Sequence, residues 1–256
     1  PTFNYHVAGY GGTLHMVDYT GDHEDLGALI STARTVGAKL IYFANPDNPM
    51  GSCHPGHSIE AALDDLPEGA ILALDEAYIE FAPEHTAPRI APDDPRVFRL
   101  RAFSKAYGMA GARIGYAIGA PELIQGFDKI RNHFGVNRMA QTGALAALGD
   151  QDWLAHVQRE VANSRTRLGQ IAADCGLTAL PSATNFVTLD CGRDGDFARA
   201  VLAGMLDQGV FVRMPFVAPQ DRCIRVGCGG MAEMEAVARA LPVALSRAAG
   251  KASAHV

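Results

Sequence analysis

The first half of this chain alternates short apolar runs with stretches whose apolar residues recur at helical spacing, and few architectures accept that alternation. The pattern predicts strands over residues 12–17, 40–44, 71–74, 97–103 and 113–118, and helices over 25–36, 59–65, 121–131 and 139–148. Pro121 suits the first turn of its helix, where the missing N–H has no intrahelical partner in any case. Strands alternating with helices fold as βα units around a mostly parallel sheet flanked by helices, an α/β architecture. In such sheets the carboxyl ends of the strands are where ligands bind.

The second half changes character. Leu154, Val157, Val161, Leu168 and Ile171 keep helical spacing across 152–175 and predict one long helix. A strand at 185–189, a helix at 196–208, strands at 210–214 and 223–226 and a helix at 232–246 follow, which is an α+β pattern. The expected boundary falls at Gly149-Asp150, giving a larger domain over 1–150 and a smaller C-terminal α+β domain over 151–256. The last residues, 248–256, are small and polar and are expected to fray.

Bulk properties remove several function classes. The chain has 256 residues, 48% hydrophobic and 20% charged, with a formal charge of −6 and no block of Lys or Arg, which argues against nucleic acid as a partner. No apolar run reaches membrane-spanning length, and the start carries no signal-peptide pattern. Five cysteines (Cys53, Cys175, Cys191, Cys223, Cys228) are scattered without a C-x-x-C, the usage expected of reduced thiols in the cytoplasm.

Lysine is scarce here, four against eighteen arginines, and Lys105 lies in Arg101-Ala-Phe-Ser-Lys-Ala-Tyr-Gly-Met-Ala-Gly-Ala-Arg113 among small and apolar neighbours. An ammonium in such surroundings is partly desolvated, its pKa falls, and the neutral amine is a nucleophile able to form a Schiff base. The competing reading is a lysine at a helix start facing water. Upstream, Asn45-Pro-Asp-Asn48-Pro-Met-Gly51 follows one predicted strand and Asp75-Glu-Ala-Tyr78 ends another.

The ordered set Asn48, Asp75, Tyr78, Lys105 and Arg113 resembles the pyridoxal 5'-phosphate (PLP) dependent aminotransferases of fold type I. The finer motifs N-P-x-N-P-x-G, D-E-A-Y-I-E-F and S-K-A-x-x-x-A-G-x-R look most like the histidinol-phosphate aminotransferase group, and the resemblance runs from Pro1 to Leu241. It implies a Schiff base between Lys105 and PLP, with Asp75 pairing the pyridine nitrogen and Tyr78 and Asn48 donating to the 3′-oxygen. Ser104 and Arg113 are the implied phosphate ligands, and Phe3 the ring laid over the pyridine face. Arg225, with Arg213 nearby and Asn185 at the pocket mouth, would take the substrate's carboxylate or phosphate. Each has a plainer reading: Asp75 as a helix N-cap, Tyr78 and Phe3 as core aromatics, Asn48 as a turn residue, Arg113 as a surface ion pair, and Arg213 and Arg225 on a wet strand face. Glu76 reads as structural. Met50 and Ala102 depart from the family, which commonly has threonine at the first position and a hydroxyl residue at the second.

The resemblance further implies amino transfer between an amino acid or amino phosphate and a 2-oxo acid such as 2-oxoglutarate, in a cytoplasmic homodimer. It also implies a leading segment ahead of Pro1 that carries an N-terminal arm, a glycine-rich turn for the cofactor phosphate and a tyrosine for the partner's site. A decarboxylase or lyase on the same fold, akin to threonine-phosphate decarboxylase, is the nearest alternative; a non-catalytic module that keeps the fold is the other. Cys53, His54 and His57 suggest a metal, but Pro55 and Gly56 among them indicate an exposed loop instead.

Overall fold

A computed structural model describes residues 2–253. The chain opens with helix α1 (Thr2–Gly9), then runs through α2 (Leu26–Val36), strand β1 (Leu40–Ala44) and α3 (Gly56–Ala62), which tightens into a 3₁₀ turn at Leu63–Asp65. Strands β2 (Ile71–Asp75), β3 (Val97–Ala102) and β4 (Gly115–Gly119) complete a four-stranded sheet of order β1-β2-β3-β4. β1, β2 and β3 are parallel and β4 pairs antiparallel with β3. Central β2 is apolar on both faces: Leu72, Ala73 and Leu74 are all buried, as a parallel strand sandwiched between layers requires. Helix α2 begins where Asp25 accepts a hydrogen bond from the Ala28 N–H and stops at Gly37, whose φ of 68° only glycine adopts without strain.

Helices α4 (Pro121–Asp128), α5 (Arg138–Gly149) and the 24-residue α6 (Gln151–Asp174) lead into the second half. There β5 (Thr178–Ala179), β6 (Phe186–Asp190) and β7 (Cys223–Gly227) form an antiparallel sheet covered by α7 (Gly195–Leu206) and α8 (Met231–Ser253). Three apolar clusters follow this order. One joins α2, β1, α3 and β2 through Ile30, Phe43, Ile59 and Leu74; another joins α6, β6, α7 and α8 through Leu168, Leu189, Met205 and Leu241. The third is the seam between them, where Tyr78, Phe81 and Ala106 meet Leu154, Val161 and Phe186. Full burial of each large apolar side chain stabilises by about 1.5–3 kcal/mol. Among the described residues no helix is long and apolar enough to cross a membrane.

Three expectations are corrected. Residues 12–17 are not a strand: no strand pairs with them among the described residues, the Gly12 N–H turns back to the Val7 carbonyl at 2.8 Å, and Met16 is left exposed. Residues 210–214 are not a full strand either; only Arg213 pairs, exchanging both backbone hydrogen bonds with Arg225 at 2.6 and 3.1 Å before Pro215 removes the next donor. Helix α8 runs on to Ser253, because Ala248 packs into the second core instead of fraying; the rest of the expected tail, residues 254–256, lies outside the described residues.

Candidate active site

β2 delivers Asp75 at its carboxyl end, and the next residue fixes the floor beneath it. Glu76 is fully buried and receives Arg99 at 2.6 Å and Arg101 at 2.9 Å, so this carboxylate is committed to two guanidiniums from β3. Asp75 points the other way. One of its oxygens accepts from the Ala77 N–H at 3.0 Å and the other from the Tyr42 hydroxyl at 2.5 Å. Phe3 of α1 stacks on Tyr42, ring centroids 4.5 Å apart, so the aromatic expected over a cofactor ring rests against the tyrosine that holds Asp75.

The 45–51 turn leaves β1 beside Asp75 and brings Asn48 to Tyr78. The Asn48 amide donates to the Tyr78 hydroxyl at 3.3 Å, which leaves the phenolic proton free for another acceptor. Asn48 Oδ1 in turn accepts from Arg225 of β7. The turn is bolted to the second sheet: the Thr188 hydroxyl donates to the Pro49 carbonyl at 2.7 Å and the Ala183 N–H to the Gly51 carbonyl at 2.8 Å. Gly51 has φ of 81°, and a Cβ there would meet Ser182 Oγ at 2.9 Å, so only glycine fits.

Lys105 enters from the turn after β3, half-buried, with Nζ 5.2 Å from the centre of the Tyr78 ring. Burial lowers its pKa, and the guanidiniums of Arg225, Arg213 and Arg113 push the same way against the opposing pull of Asp75. Arg225 lies 4.8 Å over the Phe186 ring and is itself half-buried, whereas Arg213 is exposed with Phe211 6.0 Å away. Arg113 is exposed, holds the left-handed conformation at φ 53° and donates to the Ala110 carbonyl at 2.9 Å. Ser104 sits half-buried immediately before Lys105. Asn185 is half-buried ahead of Phe186, and its carbonyl accepts from the Cys228 N–H at 2.9 Å.

Asp75, Tyr78, Asn48, Lys105 and Arg225 thus meet where the two halves join, with Arg213 and Arg113 close enough to act on Lys105 electrostatically. Sequence reasoning missed Tyr42, Tyr19, Glu24 and Asp47 behind them. Tyr42 had a signal, a hydroxyl on an apolar strand next to the Asp75 strand; Glu24, in a loop that reads as solvated, had none.

An α/β sheet presenting an amine, a carboxylate, a phenol–amide pair and several cations at its strand ends defines the aminotransferase class. The chain belongs to the aminotransferase class I and II family, whose pattern it matches over residues 1–241. It is 38% identical over 234 residues to histidinol-phosphate aminotransferase 2 of Ralstonia nicotianae, covering 90% of this chain and 62% of that protein. It is also 38% identical over 204 residues to an aromatic amino acid aminotransferase of Nocardia farcinica, covering 77% and 54%. Its fold is that of the histidinol-phosphate aminotransferase of Sinorhizobium meliloti, solved in complex with pyridoxal-5'-phosphate: TM-score 0.94, 53% identity, 96% of this chain and 68% of that one. The chain therefore spans about 60% of the length of the curated relatives it matches.

Proposed function

We propose that this chain is the cofactor- and substrate-binding part of a PLP-dependent aminotransferase that moves an amino group from an amino acid or histidinol-phosphate-like amine to a 2-oxo acid such as 2-oxoglutarate. The observation that carries this reading is Lys105, a half-buried amine of lowered pKa held over Tyr78 and facing Asp75. The donor set fits a phosphorylated pyridine aldehyde: an amine for the aldehyde, a carboxylate for the ring nitrogen, a phenol and an amide for the ring oxygen, and Ser104 with Arg113 for the phosphate. Residues 1–150 would hold the cofactor and 151–256 supply the arginines of the substrate pocket. That division is supported by the separate apolar cores and the seam at Tyr78 and Phe186.

When bound, PLP supplies the electron sink that stabilises a carbanion at the substrate Cα. Lys105, whose pKa is lowered by burial and by the guanidiniums of Arg225, Arg213 and Arg113, would serve as the base that takes the Cα proton and as the acid that returns it. Asp75, fixed by the Tyr42 hydroxyl and the Ala77 N–H, would offer its carboxylate to the ring nitrogen. Tyr78, already accepting from Asn48, has its own proton left for the ring oxygen. Arg225 and Arg213 offer paired cations to an anionic substrate group, and Asn185 lines the same side.

Exposed apolar side chains at Ile130, Phe134, Met139, Leu145 and Trp153 support a second copy as partner, and the free cysteines support the cytoplasm as location. The test is to load the full-length protein with PLP, reduce it with borohydride and map the labelled peptide by mass. The label is expected on Lys105; a label on Lys39 or Lys129 defeats the assignment. Assaying oxo acid against carbon dioxide as product separates amino transfer from decarboxylation.

A further inference from the structure

Behind the 45–51 turn lie two carboxyl groups that the proposed chemistry does not use. Asp47 is buried, 1% exposed, and Glu24 reaches it from the loop before α2, close enough for the two carboxyls to hydrogen-bond. Both are anchored to backbone. Glu24 Oε2 accepts from the Ala44 N–H at 2.9 Å, at the end of β1, and Asp47 Oδ2 accepts from the Met50 N–H at 3.2 Å, across the turn. The Tyr19 hydroxyl lies 3.0 Å from each Asp47 oxygen. The other charged or titratable groups facing the pair are the Asp75 carboxylate, the Tyr42 and Tyr78 hydroxyls and, beyond Asn48, the Arg225 guanidinium. The His54 ring donates to the Glu24 backbone carbonyl at 2.8 Å. No guanidinium or ammonium forms an ion pair with either carboxylate among the described residues.

We propose that Glu24 and Asp47 share one proton, that this shared proton positions the 45–51 turn, and that its loss frees Asn48 from Tyr78 and Arg225. Two carboxyls within hydrogen-bond reach, one half-buried and one buried, with no paired cation, resist ionising together, so one keeps a proton and donates it to the other. Glu24 is the holder: burial first, then the Asp47 charge, push it up to about 8, whereas on Asp47 burial also raises the pKa but the Tyr19 hydroxyl and the Met50 and Asn48 N–H groups oppose it. When the proton leaves, the two like charges repel across the contact that ties the turn to β1. Asn48, one residue from Asp47, moves with the turn. Glu24 and Asp47 are therefore positioning residues, acting through Asn48; the inference rests on the proposed activity only for what Asn48 then touches.

Two measurements on the full-length protein test this without an assay of turnover. The infrared spectrum of wild type minus Glu24→Gln at about pH 6 should show the carbonyl stretch of a protonated carboxylic acid, and that band should vanish at about pH 10. Its absence at the lower pH overturns proton sharing. Hydrogen exchange of the Ala44 and Met50 amides, corrected for the intrinsic pH dependence, should lose about tenfold protection between the same pH values in wild type. Glu24→Gln, whose amide cannot lose the proton, and Asp47→Asn, in which an ionised Glu24 meets no like charge, should keep it. Equal loss in wild type and both variants overturns the positioning role. Failure of PLP to label Lys105 would defeat the proposed activity and leave both readouts intact.

Discussion

The two sides of the candidate site are built by different means. The Asp75 side is fixed by the sheet: β2 is buried, Glu76 locks it to β3 through two arginines, and Tyr42 and Ala77 leave Asp75 little freedom. The Arg113 side is a surface loop whose guanidinium touches only the Ala110 carbonyl among the hydrogen bonds of the described residues. A group whose hydrogen bonds already exist needs little reorganisation when charge develops nearby, whereas an exposed arginine must be ordered by the anion it binds. On the proposed reading, the rigid side would tune the cofactor ring and the loose side would close on its phosphate.

The contrast is tested hardest at Lys105, which borders both. Lys105→Ala should lower turnover by about 10³-fold or more, since positioned acid–base transfer alone is worth about 10²–10⁴-fold. Because a lysine pKa lowered by burial and neighbouring cations leaves the amine neutral sooner, wild-type activity should rise with pH at values below the ordinary 10.5 of a lysine. A rise only above that value would mean the amine is not desolvated in solution. Next in size, Glu76→Ala strands Arg99 and Arg101, 13% and 24% exposed, beside an emptied carboxylate site. Breaking such a buried pair should cost about 3–5 kcal/mol in urea unfolding. Arg113→Ala should leave the same unfolding midpoint nearly unchanged; if the two variants unfold alike, the rigid-floor account is wrong.

Much of the rigid side could be read in the sequence, and most of the cross-links could not. β1 and β2 announce themselves as apolar runs, and Asp75 is conspicuous because it ends one. Lys105 stands out by scarcity. Residues 12–17 also read as a strand, but a strand is defined by its neighbour, and a single sequence does not contain the hydrogen bonds that supply one. The same limit hid Glu24: in Asp22-His-Glu-Asp25 it reads as a solvated charge, and only the tertiary fold buries it beside Asp47. Arg225 was visible as an arginine on a strand, but its rest on Phe186 and its hold on Asn48 join positions far apart in the chain.

Smaller effects sharpen the role of the seam. Arg225→Ala should raise KM for the anionic substrate with little change in kcat, by about 1.5–3 kcal/mol in kcat/KM, the scale of a hydrogen bond to a charged group. An unchanged KM for 2-oxoglutarate and glutamate would remove Arg225 from the pocket.

The smallest expected effect belongs to Asn48, and it discriminates most finely. Its amide donates to Tyr78 while its carbonyl oxygen receives Arg225, so it joins the fixed side to the arginine side through one exposed side chain. Asn48→Ala removes a neutral hydrogen bond to Tyr78, which costs about 0.5–1.5 kcal/mol, and leaves the phenol otherwise held by its packing on Phe186. If Asn48 acts only on the ring oxygen, kcat falls by that amount and KM stays. If it mainly holds Arg225, KM rises instead, and the double variant with Arg225→Ala loses no more than Arg225→Ala alone. A double-variant cycle separates these outcomes, because residues that act through each other are non-additive and independent ones add.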